Sequence, residues 1–220
     1  MSISLVSNAQ ALGNTLVMPT HSIGNLILGL GTNDNASIIP TKPTGWTLLW
    51  TLGATTSSIA AYYKYAQSTT ETFGIWTNAD HVSVTVWSGS PNTIVWPWLI
   101  SQTTGVSANM NWPAQVLNSF RTDSEDNALV AYGHNRSATN NLGQTLGALT
   151  NLFTEGDGVN YQVCKKYQVG RTATWANTIL TMATSVTFRT VMFGLTEQTG
   201  YGFSGGGGGV TDPLINPMFR

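Results

Sequence analysis

In His81-Val82-Ser83-Val84-Thr85-Val86-Trp87, valines alternate with polar or mixed residues. A period of two is the signature of a half-buried β-strand, because successive side chains point to opposite faces. Ser185 to Leu195 (SVTFRTVMFGL) carries two interleaved apolar sets, as expected of a long strand buried on much of both faces. Gly24–Leu30, Trp46–Leu52, Ser58–Tyr65, Ala128–Tyr132, Tyr161–Val169 and Ala173–Leu180 are further runs rich in β-branched and aromatic residues. Helical signals are poor. No long segment holds an apolar i, i+3, i+4, i+7 stripe capped at both ends, and Pro113–Phe120 offers one or two turns at most. Roughly ten to twelve strands at spacings near 8–12 residues predict an all-β fold, an antiparallel jelly-roll-like β-sandwich. A parallel sheet would need crossover helices, for which the chain has no room.

Only 9% of the 220 residues are charged, while 41% are hydrophobic. The apolar share, with eight Trp, seven Tyr and seven Phe, is ample for a packed core. The polar surface must therefore be built from Thr, Ser, Asn and Gly. Nine Lys and Arg against ten Asp and Glu leave no basic face for nucleic acid. A coiled coil would need far more charge, and a single Cys excludes an intrachain disulfide framework. The apolar runs, such as Thr93–Ile100 with its Pro97, fall short of the roughly 18 residues that span a bilayer. Met1–Leu12 lacks a basic n-region and a long apolar stretch, so no signal peptide is expected. That predicts assembly in a cytoplasm.

Residues able to carry chemistry are few. His21, His81 and His134 lie in no metal-ligand spacing and read as surface or strand-end residues; no metal or cofactor is expected. Cys164 shares a strand face with Lys166 and not with Lys165, and reads as a packed, inert thiol. Asp123-Ser124-Glu125-Asp126 and Glu155-Gly156-Asp157-Gly158 match no Ca²⁺ loop and read as turn formers. A glycan-degrading enzyme using Glu125 or Glu155 is the remotest alternative. No G-x-S-x-G, P-loop or dinucleotide fingerprint occurs, and Ser204 sits among glycines, so an enzyme is not expected. The sequons Asn35-Ala36-Ser37 and Asn135-Arg136-Ser137 read as chance matches in a chain expected to stay unexported. Trp96-Pro97-Trp98 and Trp112 fall in less regular segments. Exposed, they would give flat apolar platforms for stacking a neutral sugar; otherwise they belong to core or subunit interface.

After about residue 197 the composition changes. Residues 198–209 form a Gly-rich tether containing five consecutive glycines, the residue that loses most backbone entropy on ordering. Residues 210–220 (VTDPLINPMFR) mix Val210, Leu214, Ile215, Met218 and Phe219 with two prolines. Such a peptide suits docking in extended form along another surface, either a neighbouring subunit's or that of its own domain. The expected organisation is a sandwich domain at 1–197, the tether, and a docking peptide.

The run from Gly24-Asn25-Leu26-Ile27-Leu28 through Pro43-Thr44-Gly45-Trp46 to Ala60-Ala61-Tyr62-Tyr63-Lys64-Tyr65-Ala66 resembles a β-sandwich module of tailed-bacteriophage virion proteins. Phe73-Gly74-Ile75-Trp76-Thr77, the strand Val82–Trp87 closing at Gly89, and a last strand over Thr187–Glu197 continue the resemblance across residues 1–197. Such modules occur in capsid decoration, tail-fibre and minor tail proteins, without catalytic residues. The resemblance implies a virion structural protein, foremost a capsid decoration protein docking to neighbouring subunits by terminal arms. Its partners would be other virion proteins and copies of itself, a trimer being favoured. The alternative is a tail-fibre module binding host cell-surface glycan.

Overall fold

The computed structural model describes residues 3–199 apart from 35–37, 55, 92, 113–114, 117–126, 141, 145–146, 148, 172–173 and 176–177. Twelve strands follow in order: β1 (Ser4–Leu12), β2 (Leu26–Asn33), β3 (Thr47–Ala54), β4 (Ser57–Tyr65), β5 (His81–Ser88), β6 (Thr93–Trp112), β7 (Gln115–Val116), β8 (Asn127–Asn135), β9 (Thr150–Gly156), β10 (Gln162–Arg171), β11 (Thr174–Trp175) and β12 (Thr178–Thr199). Among the described residues there is no helix. The strands form two five-stranded antiparallel sheets, β1-β5-β2-β4-β3 and β6-β12-β8-β10-β9, and the short pair β7–β11. The chain completes the first sheet before starting the second. Every contact between the sheets therefore joins the two halves of the sequence.

Strand alternation sorts the side chains. Leu26, Leu28 and Leu30 of β2, Ile59 of β4 and Trp87 of β5 meet Val130, Val163, Val191 and Phe193 of the second sheet in the central core. The outer faces are covered as well, which is why β2 is buried at every position instead of at alternate ones. On the first sheet, Ile27, Val82, Val84 and Val86 pack under Trp46, Phe73 and Trp76. A β-carbon at Gly31 would lie 2.7 Å from the Trp76 ring, so the glycine lets the indole lie on the strand.

The second sheet is covered by its own longest strands. β12 pairs with β6 over most of its length but with β8 only over Phe188–Leu195. The β6–β12 register breaks between Thr181 and Val186. Beyond the break Met110, Trp112, Leu180 and Met182 pack on Leu129, Ala131 and Cys164. Thr190 Oγ1 donates to the Asn111 carbonyl at 2.7 Å, holding the folded-back ribbon onto its own sheet.

The sequence reading of Trp96-Pro97-Trp98 and Trp112 as irregular is corrected: all four lie in β6. Pro97 is tolerated there because β6 is an edge strand, where one missing donor costs little. Strands β1 and β9 were not anticipated. Gln115–Val116, within the suggested helical turns, is strand β7. The tether and the docking peptide, with Val210, Leu214, Ile215, Met218 and Phe219, lie outside the described residues.

Candidate functional site

The strand registers bring an unusual set of residues to one end of the space between the sheets. In the first sheet Thr32 of β2 sits opposite His81 of β5, and Asn33 opposite Ser58 of β4. In the second sheet His134 of β8 sits opposite both Arg189 of β12 and Val163 of β10, and Val163 opposite Glu155 of β9. His81 and Trp87 share a parity on β5, as do His134, Tyr132 and Val130 on β8. The same alternation that aims Trp87 and Val130 into the core therefore aims both imidazoles inward.

Polar links cross between the sheets here. His81 Nε2 is 3.0 Å from Glu155 Oε2. Asp34 Oδ1 faces His134 Nε2 at 3.3 Å and Arg136 Nε at 3.4 Å. Arg189 Nε donates to Ser57 Oγ at 2.7 Å and to the Ser57 carbonyl at 3.2 Å. The hydroxyls of Thr32 and Tyr132 are 2.6 Å apart, and Tyr161 Oη donates to the Asp80 carbonyl at 3.0 Å. Asp80 Oδ2 in turn accepts the Asp34 backbone N–H at 2.9 Å, steadying the turn that presents Asp34. His134 also stacks on Tyr161, with ring centroids 5.7 Å apart. We call this arrangement the clasp.

Its electrostatics follow from burial. Both imidazoles are fully buried. Desolvation pulls the His81 pKa below its usual value against the pull of Glu155, and Lys165 and His134 add repulsion. Desolvation likewise lowers that of His134, with Asp34 opposing and Arg189 and Arg136 reinforcing. Lys165 projects into the same region from β10. Its Nζ is buried with no hydrogen-bond partner among the described residues, 5.9 Å from the centre of the Phe153 ring. Burial lowers its pKa to about 7. In a chain with so few charges, three carboxylates, two guanidinium groups, two imidazoles and an amine meet at one end of one core.

The clasp overturns part of the sequence reading. His81 and His134 stand at strand ends but are core residues and not surface ones. His21 is buried too, with Nδ1 2.7 Å from the Pro19 carbonyl and Nε2 accepting the Glu71 N–H. Glu155 does more than form a turn, since it crosses to the other sheet. Asp157 is a turn former: Oδ1 accepts the N–H groups of Val159, Asn160 and Tyr161. Slight burial opposes ionisation of Asp157, but these bonds prevail and hold the carboxyl at about 2. Cys164 faces the outer layer with Lys166; burial raises the thiol to about 11 despite the lysine, so it is not a reactive thiolate at neutral pH. Asn135 is buried, its amide at 3.3 Å from Met182 Sδ, and presents no free acceptor for a glycan.

Of the tryptophans named as sugar platforms, Trp112 is fully buried in the outer layer of the second sheet and offers no face to a ligand. Trp96 is half-buried, edge-on to Tyr63 at 5.8 Å. Trp98 is half-buried and covers Gly194, where a β-carbon would meet the indole at 2.5 Å. Asp123, Glu125, Asp126 and Ser204 lie outside the described residues. Among the described residues, no three His, Cys, Asp or Glu side chains are placed to hold a metal ion. An open groove of about 600 Å³ lies beside the clasp, lined by Arg136, Thr139, Asn160 and Thr187. No family model matches this chain, and neither does any curated protein or solved structure.

Proposed function

We propose that the protein is a structural subunit of a tailed-phage virion, a capsid decoration protein that works by assembling with copies of itself and with neighbouring virion proteins. One observation carries this reading. In the two five-stranded sheets, three of the four edge strands, β1, β3 and β6, contain no Asp, Glu, Lys or Arg. Sheets that stay monomeric guard their edges with charge, because an unpaired row of N–H and C=O groups templates further pairing. Here Val6, Leu12, Leu48 and Val106 stand exposed on those uncharged edges. An edge covered by a neighbour needs no such guard, and a low-charge surface packs in many copies without repulsion. The Gly-rich tether and the peptide Val210–Arg220 would add a docking arm.

The test is deletion of residues 205–220, followed by measuring occupancy on particles stripped of this protein. Reduced occupancy supports docking by the arm; unchanged occupancy removes it. A second reading, a tail-fibre module binding host glycan, rests on the partial exposure of Trp96 and Trp98 on an uncharged strand. Retention of Trp96→Ala and Trp98→Ala variants on a glycan array at wild-type level would dismiss it.

A further inference from the structure

We propose that the clasp is a proton-operated latch, which holds the two sheets together at neutral pH and releases this end of the sandwich when His81 and His134 take up protons. The argument rests on placement and charge. The sheets come from separate halves of the chain, so at this end they are joined by side-chain links and not by shared strands. Two of these links run through an imidazole: the His81–Glu155 hydrogen bond and the 3.3 Å approach of His134 Nε2 to Asp34 Oδ1.

The groups facing these rings come from every strand around them. Asp34 approaches from the end of β2, Asp80 from just before β5, Arg136 from the end of β8, Glu155 from β9, Tyr161 and Lys165 from β10, and Arg189 from β12. With the imidazoles and the Lys165 amine uncharged, three carboxylates face two guanidinium groups. Three added protons reverse that balance from one net negative charge to two net positive ones. The imidazoles and the Lys165 amine that take them up are sealed from water, whereas Arg136, Asp80 and Glu155 keep contact with solvent. Each imidazolium would keep one carboxylate partner, but repulsion from Arg136, Arg189 and Lys165 opposes it. The far end of the sandwich, where Leu26 and Trp87 pack near Val95 and Leu195, holds neither His81 nor His134; His21, just ahead of Leu26, bonds only within the first half of the chain, to the Pro19 carbonyl and the Glu71 N–H, and links no sheets. Release is therefore local.

The sign follows from burial. A folded-state imidazole held below the usual value leaves the unfolded state binding more protons between the two values. Stability is complete above the unfolded value, about 6.5, and falls as pH drops toward the folded ones.

The test uses the full chain. Imidazole C–H resonances, assigned with His81→Gln and His134→Gln, are followed by NMR from pH 8 to 4.5. Amide exchange, corrected for its intrinsic pH dependence, is measured in parallel. The latch predicts that both rings titrate below the ordinary imidazole value of about 6.5. It also predicts that amides near Ser83 and Ala131 lose at least about tenfold protection in that interval while those near Leu26 and Tyr65 keep theirs. Titration of either ring at or above pH 6.5, uniform loss at both ends, or no loss overturns the proposal. In the double His81→Gln/His134→Gln variant the differential loss should vanish, and its persistence is equally fatal. Should that variant fail to fold, the wild-type titration and exchange decide.

Discussion

Replacing Lys165 with Met removes a buried amine and keeps an unbranched chain of nearly the same length. The Lys165 pKa falls from 10.5 to about 7 on folding because the ammonium loses its hydration and finds no acceptor among the described residues. The unfolded chain thus binds a proton that the folded chain releases. Stability is greatest above pH 10.5 and is lost as pH falls toward 7. At about 1.36 kcal/mol per pKa unit, the lysine costs roughly 4 kcal/mol at pH 7, roughly 2 at pH 9 and under about 1 at pH 10.5. Lys165→Met should recover those amounts, since the methionine packs against the same Phe153 ring. For a domain near 200 residues the gain at pH 7 corresponds to about 8–16 °C in Tm. The assay is urea unfolding of both proteins at the three pH values. A gain that does not shrink as pH rises, or a loss of stability at pH 7, would refute the reasoning.

Other substitutions probe separate parts of the fold. Gly31→Ala should destabilise by about 1–3 kcal/mol in urea unfolding, since the new methyl displaces the Trp76 indole that seals the first sheet. Trp112→Ala should cost about 3–5 kcal/mol, with loss of packing on Leu129, Ala131 and Cys164 under the folded-back ribbon. Asp157→Ala should flatten the acid limb of the stability curve. The wild-type carboxyl is held at about 2, so its contribution is present above about 3.8 and fades as pH falls through 2. Urea midpoints between pH 5 and 2 check this.

The sandwich was legible wherever alternation was strong and β-branched, as in His81–Trp87. Two causes hid the rest. Pro97 made β6 look broken, although an edge strand accepts a proline. The fold-back of the β6–β12 ribbon, which buries Trp112, is a tertiary event with no local signature. The clasp was missed because its residues have no fixed spacing. His81 and Glu155 are 74 positions apart, and Ser57 and Arg189 are 132 apart. A signal was nevertheless present: His81 shares its strand parity with Trp87, and His134 shares its own with Tyr132. Inward-facing histidines in a chain this poor in charge deserve to be read as core groups. Reading the scarcity of charge only as a property of the surface concealed how many of the charges lie inside: Asp34, Lys165, Lys166, Arg189 and Glu197 are all buried.

The central claim, that the uncharged edges are assembly surfaces, is tested most directly by sedimentation velocity on the wild-type chain and on Thr104→Lys/Val106→Lys. Both positions are exposed on edge strand β6, and two lysines there would guard it. The wild type should sediment as an oligomer, a trimer being favoured. The variant should fall toward the single subunit with unchanged circular dichroism. A wild-type chain that sediments as a lone subunit at micromolar concentration, or a variant that assembles as well as the wild type, would contradict it.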